Sequence, residues 1–150
     1  MDQDFKERLL RHCIDSISIR LDELSDSLKG LQKAANEETK STAGDKYETG
    51  RAMAMLEKEK FAARYQEAEK QLRTLRQIRL TKNHLVQTGS LVKANDIWYF
   101  IAASLGKVQF EAEDIYVISA VAPLAQALLG MRESDTSNWR GKPLTIQRII

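Results

Sequence analysis

The sequence is short of the residues that mark secreted and membrane-spanning proteins. It has one cysteine, Cys13, and two prolines in 150 residues. A single cysteine excludes an internal disulfide, so a reducing, cytoplasmic setting is expected. No apolar run approaches the roughly 20 residues that a helix needs to cross a bilayer, and the charged start of the chain lacks the apolar core of a secretion signal. We therefore expect a cytoplasmic protein without a membrane partner.

An excess of charge of one sign is also missing. The chain has 23 basic and 21 acidic residues, which gives a formal net charge of +2. That balance does not indicate a general nucleic-acid binder, so any electrostatic recognition must depend on local clusters. The hydrophobic content of 43% is too high for a disordered chain. The length leaves room for one ordinary domain or two small ones.

The first half of the chain predicts two long helices. One apolar series recurs at alternating steps of four and three residues: Leu10, Ile14, Ile17, Leu21, Leu24, Leu28, Leu31 and Ala35. A second series repeats the spacing: Phe61, Tyr65, Ala68, Leu72 and Leu75. This spacing is typical of a coiled-coil seam, and Met53 and Leu56 lie in a different phase, where the seam is expected to drift. We predict an antiparallel helical hairpin over residues 1–82, about 45 Å long at 1.5 Å per residue.

The residue pattern changes in the second half of the chain. Short runs rich in β-branched and aromatic residues, separated by turn-forming residues, predict strands in "GSLVKAND", "IWYFIAAS", "KVQF", "IYVISA" and "KPLTIQRII". The segment "APLAQALLG" predicts a short helix, with Pro123 in its first turn and Gly130 just past its end. Strand alternation favours core positions for Trp98 and Phe100. The predicted fold class is α+β: a coiled-coil hairpin, a junction at 81–87, and a small antiparallel β domain with one helix over residues 86–150.

The segment "ETKSTAGDKYETG", residues 38–50, separates the two helices. Asp45 and Glu48, three residues apart, point to one side of a helix and can help to hold a hard cation such as Mg²⁺. The same spacing is that of a capping box, with Asp45 at the N-cap position and Glu48 at N3. Spacing alone favours the cap. The residues before the pair are small and polar, which suits entry into a narrow space.

Basic residues cluster where the two predicted helices should have their free ends. They are Arg8, Arg11, Arg73, Arg76, Arg79 and Lys82. Such a patch could meet phosphate or an acidic protein surface, but a solvated helix face is the favoured interpretation. His12, Cys13 and His84 lack metal-site spacing. No nucleophilic triad, Walker loop or dinucleotide-binding glycine motif is present.

Two segments together resemble the bacterial Gre transcript cleavage factors. "AGDKYETG" is similar to the G-D-x-x-E stretch that opens the second coiled-coil helix of that family. "VISAVAPLAQALLGMRESD" is similar to its C-terminal segment, approximately I-S-x-x-S-P-L-[GA]-x-A-L-[LI]-G-K-x-x-G-D. The resemblance spans nearly the whole chain in order, is closest to a compact Gre-like branch, and implies that the β domain is FKBP-like.

The resemblance implies a regulator of transcription elongation that is not itself an enzyme. Its C-terminal domain would dock at the rim of the secondary channel of RNA polymerase, with Pro123 and Leu124 as candidate docking residues. The hairpin tip, residues 36–50, would reach the active centre, where Asp45 and Glu48 would help to hold a Mg²⁺ shared with the polymerase. The polymerase would then cleave the 3′ end of backtracked RNA. The factor would need no cofactor of its own and would be monomeric.

Departures from the family pattern leave alternatives open. Where these factors usually have N-A-E-Y, this chain has Thr49, Gly50, Arg51 and Ala52. Arg51, a candidate binding residue at the tip, could pair with the two carboxylates and weaken their hold on metal. A channel-binding regulator that does not promote cleavage is one alternative. A coiled-coil adaptor and an FKBP-like prolyl isomerase, which requires an open aromatic pocket, are the others.

Overall fold

The computed structural model describes residues 1–38, 44–82 and 84–150. Two long helices come first, α1 (Gln3–Glu38) and α2 (Gly44–Gln77). They are followed by strands and one short helix: β1 (Leu91–Ala94), β2 (Ile97–Ala102), β3 (Gly106–Phe110), β4 (Glu113–Ser119), α3 (Pro123–Leu128), β5 (Thr136–Trp139) and β6 (Lys142–Ile149). The predicted α+β class, with long helices before a small β domain, is confirmed.

The chain divides into two compact units, and Ser16–Lys70 form the purely helical one. Within it the predicted seam faces inward: Ile17, Leu24 and Ala68 are buried, and the intervening seam positions are half-buried. The Lys58 ammonium donates to the side-chain oxygen of Gln32, 2.6 Å away, and so links the two helices. Met53 and Leu56 are 66% and 59% exposed, so the seam does not include them.

The other unit contains Met1–Asp15 together with Gln71–Ile150. The start of α1 and the end of α2 therefore belong with the sheet. In this part of α1 the buried residues are Phe5, Lys6, Leu9 and Cys13 rather than the heptad position Leu10. The buried face of α1 differs here from the heptad seam because these turns are covered by the sheet as well as by the partner helix. Phe5, for example, packs edge-on against Phe110 of β3, with 5.3 Å between ring centroids.

The strand order of the six-stranded sheet is β3-β4-β2-β1-β6-β5. Four of its five pairings in the described residues are antiparallel, but β2 and β4 run parallel. The predicted antiparallel β domain is therefore mostly antiparallel, with one parallel pair. The reason is that β3 lies outside β4, so β4 returns beside β2 in the same direction. β5 was not predicted, since "TSNW" is only four residues long and its centre, Ser137 and Asn138, consists of residue types that favour turns.

Strand β2 is covered on both faces. Tyr99 and Ile101 join the core cluster that includes Ala125 and Leu128 of α3. Phe100, which is fully buried, points to the opposite face. Trp98 was predicted to be a core residue as well, but it is only half-buried. It precedes the run of four buried positions that ends the strand, so the covered part of β2 begins one residue after it.

Backbone contacts tie the segment after α2 to the sheet domain. Val86 donates to the carbonyl of Met131 and accepts from the N–H of Gly130, at 2.9 and 2.8 Å. Gly130 has a φ of +81°, which agrees with its predicted left-handed position after α3. Gly89 has a φ of +90°, and a Cβ there would lie 2.9 Å from the carbonyl oxygen of Arg79. Close approach of the backbone therefore requires glycine at position 89.

Candidate functional site

The predicted acidic pair lies on the first turns of α2. α1 ends at Glu38 and α2 begins at Gly44, so five residues separate the two helices. Asp45 is the second residue of α2, whereas a capping box would place it just before the first helical residue. Glu48 follows one turn later and its side chain is exposed. The side chain of Asp45, like residues 39–43 of the tip, lies outside the described residues.

Arg51 is exposed and lies three residues beyond Glu48. Both side chains are described, and no ion pair joins them in the structure. The Glu48 carboxylate thus has no ion pair with Arg51, and an exposed carboxylate is the kind of oxygen ligand that Mg²⁺ prefers. Across the described ranges, no three His, Cys, Asp or Glu side chains come together as a metal site. A cation held here would need further ligands from a partner.

One residue of the predicted basic patch, Arg8, is paired with a carboxylate in the structure. The Arg8 guanidinium forms two hydrogen bonds with the carboxylate of Glu111, at 2.8 and 3.1 Å. The hydrogen bond from Arg8 lowers the pKa of Glu111 and raises that of Arg8. Arg8 therefore joins α1 to the turn between β3 and β4. Arg73, Arg76 and Arg79 are exposed, and among the described residues no ion pair involves them.

Two buried polar side chains connect the helices to the second half of the chain, and sequence reasoning missed both. Lys6 is completely buried and its ammonium donates to the carbonyl of Thr81 at 3.1 Å. Burial lowers the pKa of Lys6. Gln71 is 8% exposed and its side-chain amide donates to the carbonyl of Ser104 at 2.7 Å. These residues interrupt apolar helix faces, and no local sequence signal distinguishes them from surface residues.

An apolar cavity of about 300 Å³ adjoins the predicted docking residues. Pro123 is exposed, and the half-buried side chain of Leu124 lines the cavity. Its other lining residues are Asn95, Ile97, Tyr99, Trp139, Arg140, Lys142, Pro143 and Leu144. The Arg140 guanidinium lies 5.2 Å from the centre of the Trp139 ring. The site is thus an aromatic and aliphatic cavity with two cations among its lining residues.

Cys13 is expected to be unreactive in the folded protein. It is 1% exposed, and burial raises its pKa to about 12. Since the thiolate is the nucleophile, alkylation by iodoacetamide at pH 8 should be at least about 100-fold slower than in the urea-unfolded chain. An unfolded thiol ionises near 9.0, so the contribution of Cys13 to stability should fall as the pH rises from 9 towards 12. Equal labelling rates in folded and unfolded protein would contradict this.

The fold and the surfaces define a class: an α+β protein with a two-helix unit that carries carboxylates near the helix connection, and a sheet domain with an apolar cavity.

No family model matches the chain. No curated protein is significantly similar to it. Among solved structures it is similar to that of the transcription factor Gfh1, with 21% identity, coverage of 91% of this chain and 92% of that chain, and a TM-score of 0.40. The Gre resemblance stays a prediction. No helix in the described ranges is long and apolar enough to cross a membrane.

Proposed function

We propose that this protein is a Gre-type regulator of RNA polymerase that acts during transcription elongation. The observation that carries the proposal is the agreement of two sequence matches with their places in the fold. The G-D-x-x-E match, Gly44–Glu48, is the start of α2, beside the connection between the long helices. The C-terminal match begins in β4 and contains α3, which starts at Pro123 and is followed by Gly130 at positive φ.

In this proposal the helical unit enters the secondary channel and brings Asp45 and Glu48 to the polymerase active centre. Mg²⁺ bound there with their help would polarise the phosphodiester and activate a water. The carboxylates would hold the ion in position, since an exposed carboxylate such as that of Glu48 offers hard oxygen ligands. The polymerase supplies the remaining ligands and the substrate RNA. The protein therefore needs no metal site complete in itself, and it assists a reaction that the polymerase carries out.

Docking is assigned to the apolar cavity beside Leu124. A cavity lined by Tyr99 and Trp139 suits an apolar side chain of a partner, because aromatic surfaces dominate the energy of protein interfaces. Arg140 and Lys142 favour acidic residues next to that side chain. The polymerase surface that we expect at this site is therefore an apolar residue flanked by carboxylates.

Removing the two cations should weaken polymerase binding. We expect the Arg140→Ala and Lys142→Ala double variant to bind the cognate polymerase about tenfold more weakly, because exposed pairing charges each contribute up to about 1 kcal/mol. Binding is measured by fluorescence anisotropy of the labelled factor, at low and high salt. Lys107→Ala is the matched control, since this exposed lysine pairs with Asp114 elsewhere in the same unit. Equal weakening by the control would refute the docking assignment.

The cavity also supports the prolyl isomerase as a second candidate, because that activity requires an open aromatic pocket. The test is isomerisation of a prolyl peptide, followed with and without the protein. A rate above background that Trp139→Ala abolishes would favour the isomerase. A background rate, together with binding to polymerase, would leave the transcription factor as the better proposal.

A further inference from the structure

A larger cavity, of about 640 Å³, lies in the sheet-containing unit and has no role in the proposed polymerase contacts. It is lined by the start of α1, the segment that follows α2, the turn after α3 and the end of β6. Its volume falls within the range of about 300–1,000 Å³ that is usual for small-molecule sites. Four separate parts of the chain thus enclose a space that is large enough for a nucleotide-sized ligand.

Three cations line this cavity, each from a different part of the chain. They are Lys82, Arg132 and Arg148, and His84 lies beside them. All three cationic side chains are exposed, and no ion pair involves them within the described residues. Because guanidinium groups pair with phosphate through two parallel hydrogen bonds, two arginines and a lysine around one cavity are a suitable set for a phosphorylated ligand.

The side-chain carboxylates of Asp2 and Glu133, which line the cavity, already accept hydrogen bonds from the backbone. The Asp2 side chain accepts from the N–H of Phe5 at 2.8 Å, at the start of α1. The Glu133 side chain accepts from the N–H of Ile149, also at 2.8 Å. The backbone contact lowers the pKa of Asp2. Both side-chain acids therefore have structural partners, whereas the three cations have no ion pair.

We propose that this cavity binds a small phosphorylated molecule of nucleotide size, with its phosphates on Arg132, Arg148 and Lys82. The site is separate from the acidic tip and from the cavity beside Leu124. It belongs to the folded unit itself, so binding requires no polymerase. The affinity should fall with ionic strength, because the phosphate contacts are exposed to solvent.

The test is calorimetric titration of the full chain with ATP and, separately, with inorganic pyrophosphate. We expect ATP to bind, and the Arg132→Gln and Arg148→Gln double variant to weaken ATP binding about 100-fold, at tenfold for each lost charged contact. Arg20→Gln with Arg64→Gln is the matched control, because these exposed arginines belong to the helical unit and do not line the cavity. We expect this control to bind ATP like the unaltered protein.

Pyrophosphate, which offers phosphate groups alone, should bind to the same arginines and be weakened by the same double variant. Failure of ATP to bind the unaltered chain, or equal weakening by the control pair, would overturn the proposed site. None of these measurements uses polymerase, so their outcome is independent of the proposed transcription function.

Discussion

Replacing Asp45 with Asn and Glu48 with Gln is expected to lower Mg²⁺-dependent shortening of RNA in backtracked polymerase complexes by about 100-fold or more. Both changes keep the shape of the side chain and remove its negative charge. A metal ion stabilises the transition state of phosphodiester cleavage by several kcal/mol, and each 1.36 kcal/mol is a factor of ten in rate. Losing the ligands that hold it should therefore remove most of the stimulated rate. The length of labelled RNA is followed over time.

Glu57→Gln with Glu59→Gln is the matched control. Both residues are exposed on α2, but they lie more than two turns beyond Glu48, so they should leave cleavage unchanged. The double tip variant should still bind polymerase, since docking is assigned to another unit. Unchanged cleavage by the tip variant would show that the tip assignment is wrong. If the unaltered protein binds polymerase but stimulates no cleavage, the alternative of a channel-binding regulator that does not promote cleavage is favoured.

Phe100→Ala is expected to reduce the free energy of unfolding of the sheet-containing unit by about 3–5 kcal/mol, as for other large-to-small changes in a core. Phe100 is fully buried in the centre of the sheet. It lies opposite Leu91 of β1 on one side and Val117 of β4 on the other. Removing the ring leaves a cavity that neighbours on two paired strands must close.

The measurement is urea unfolding followed by tryptophan fluorescence. Both tryptophans, Trp98 and Trp139, belong to this unit, so the signal reports on it alone. Val121→Ala is the control: Val121 is 82% exposed, and its change should shift stability by less than about 0.5 kcal/mol. A midpoint for Phe100→Ala that matches the control would mean that β2 is not the centre of this core.

The sequence by itself determined the features that depend on neighbours along the chain. The long helices follow from an apolar repeat and the near absence of glycine and proline, both of which act within a few turns. Their seam was located correctly at Ile17 and Leu24, where a helix meets only another helix. The short helix α3 was located from Pro123 and Gly130, because the first turn and the left-handed end position select those residues locally.

Only the tertiary structure decided which surfaces cover each element. The parallel pairing of β2 with β4 depends on strands that are distant in sequence. The same is true of the core position that Tyr99 occupies where Trp98 was expected. Arg8 became a partner of Glu111, 103 residues away, and so left the predicted basic patch. The cations of the large cavity come from three separate segments. Such contacts depend on the path of the whole chain, because side chains that meet in the folded state carry no local pattern that links them.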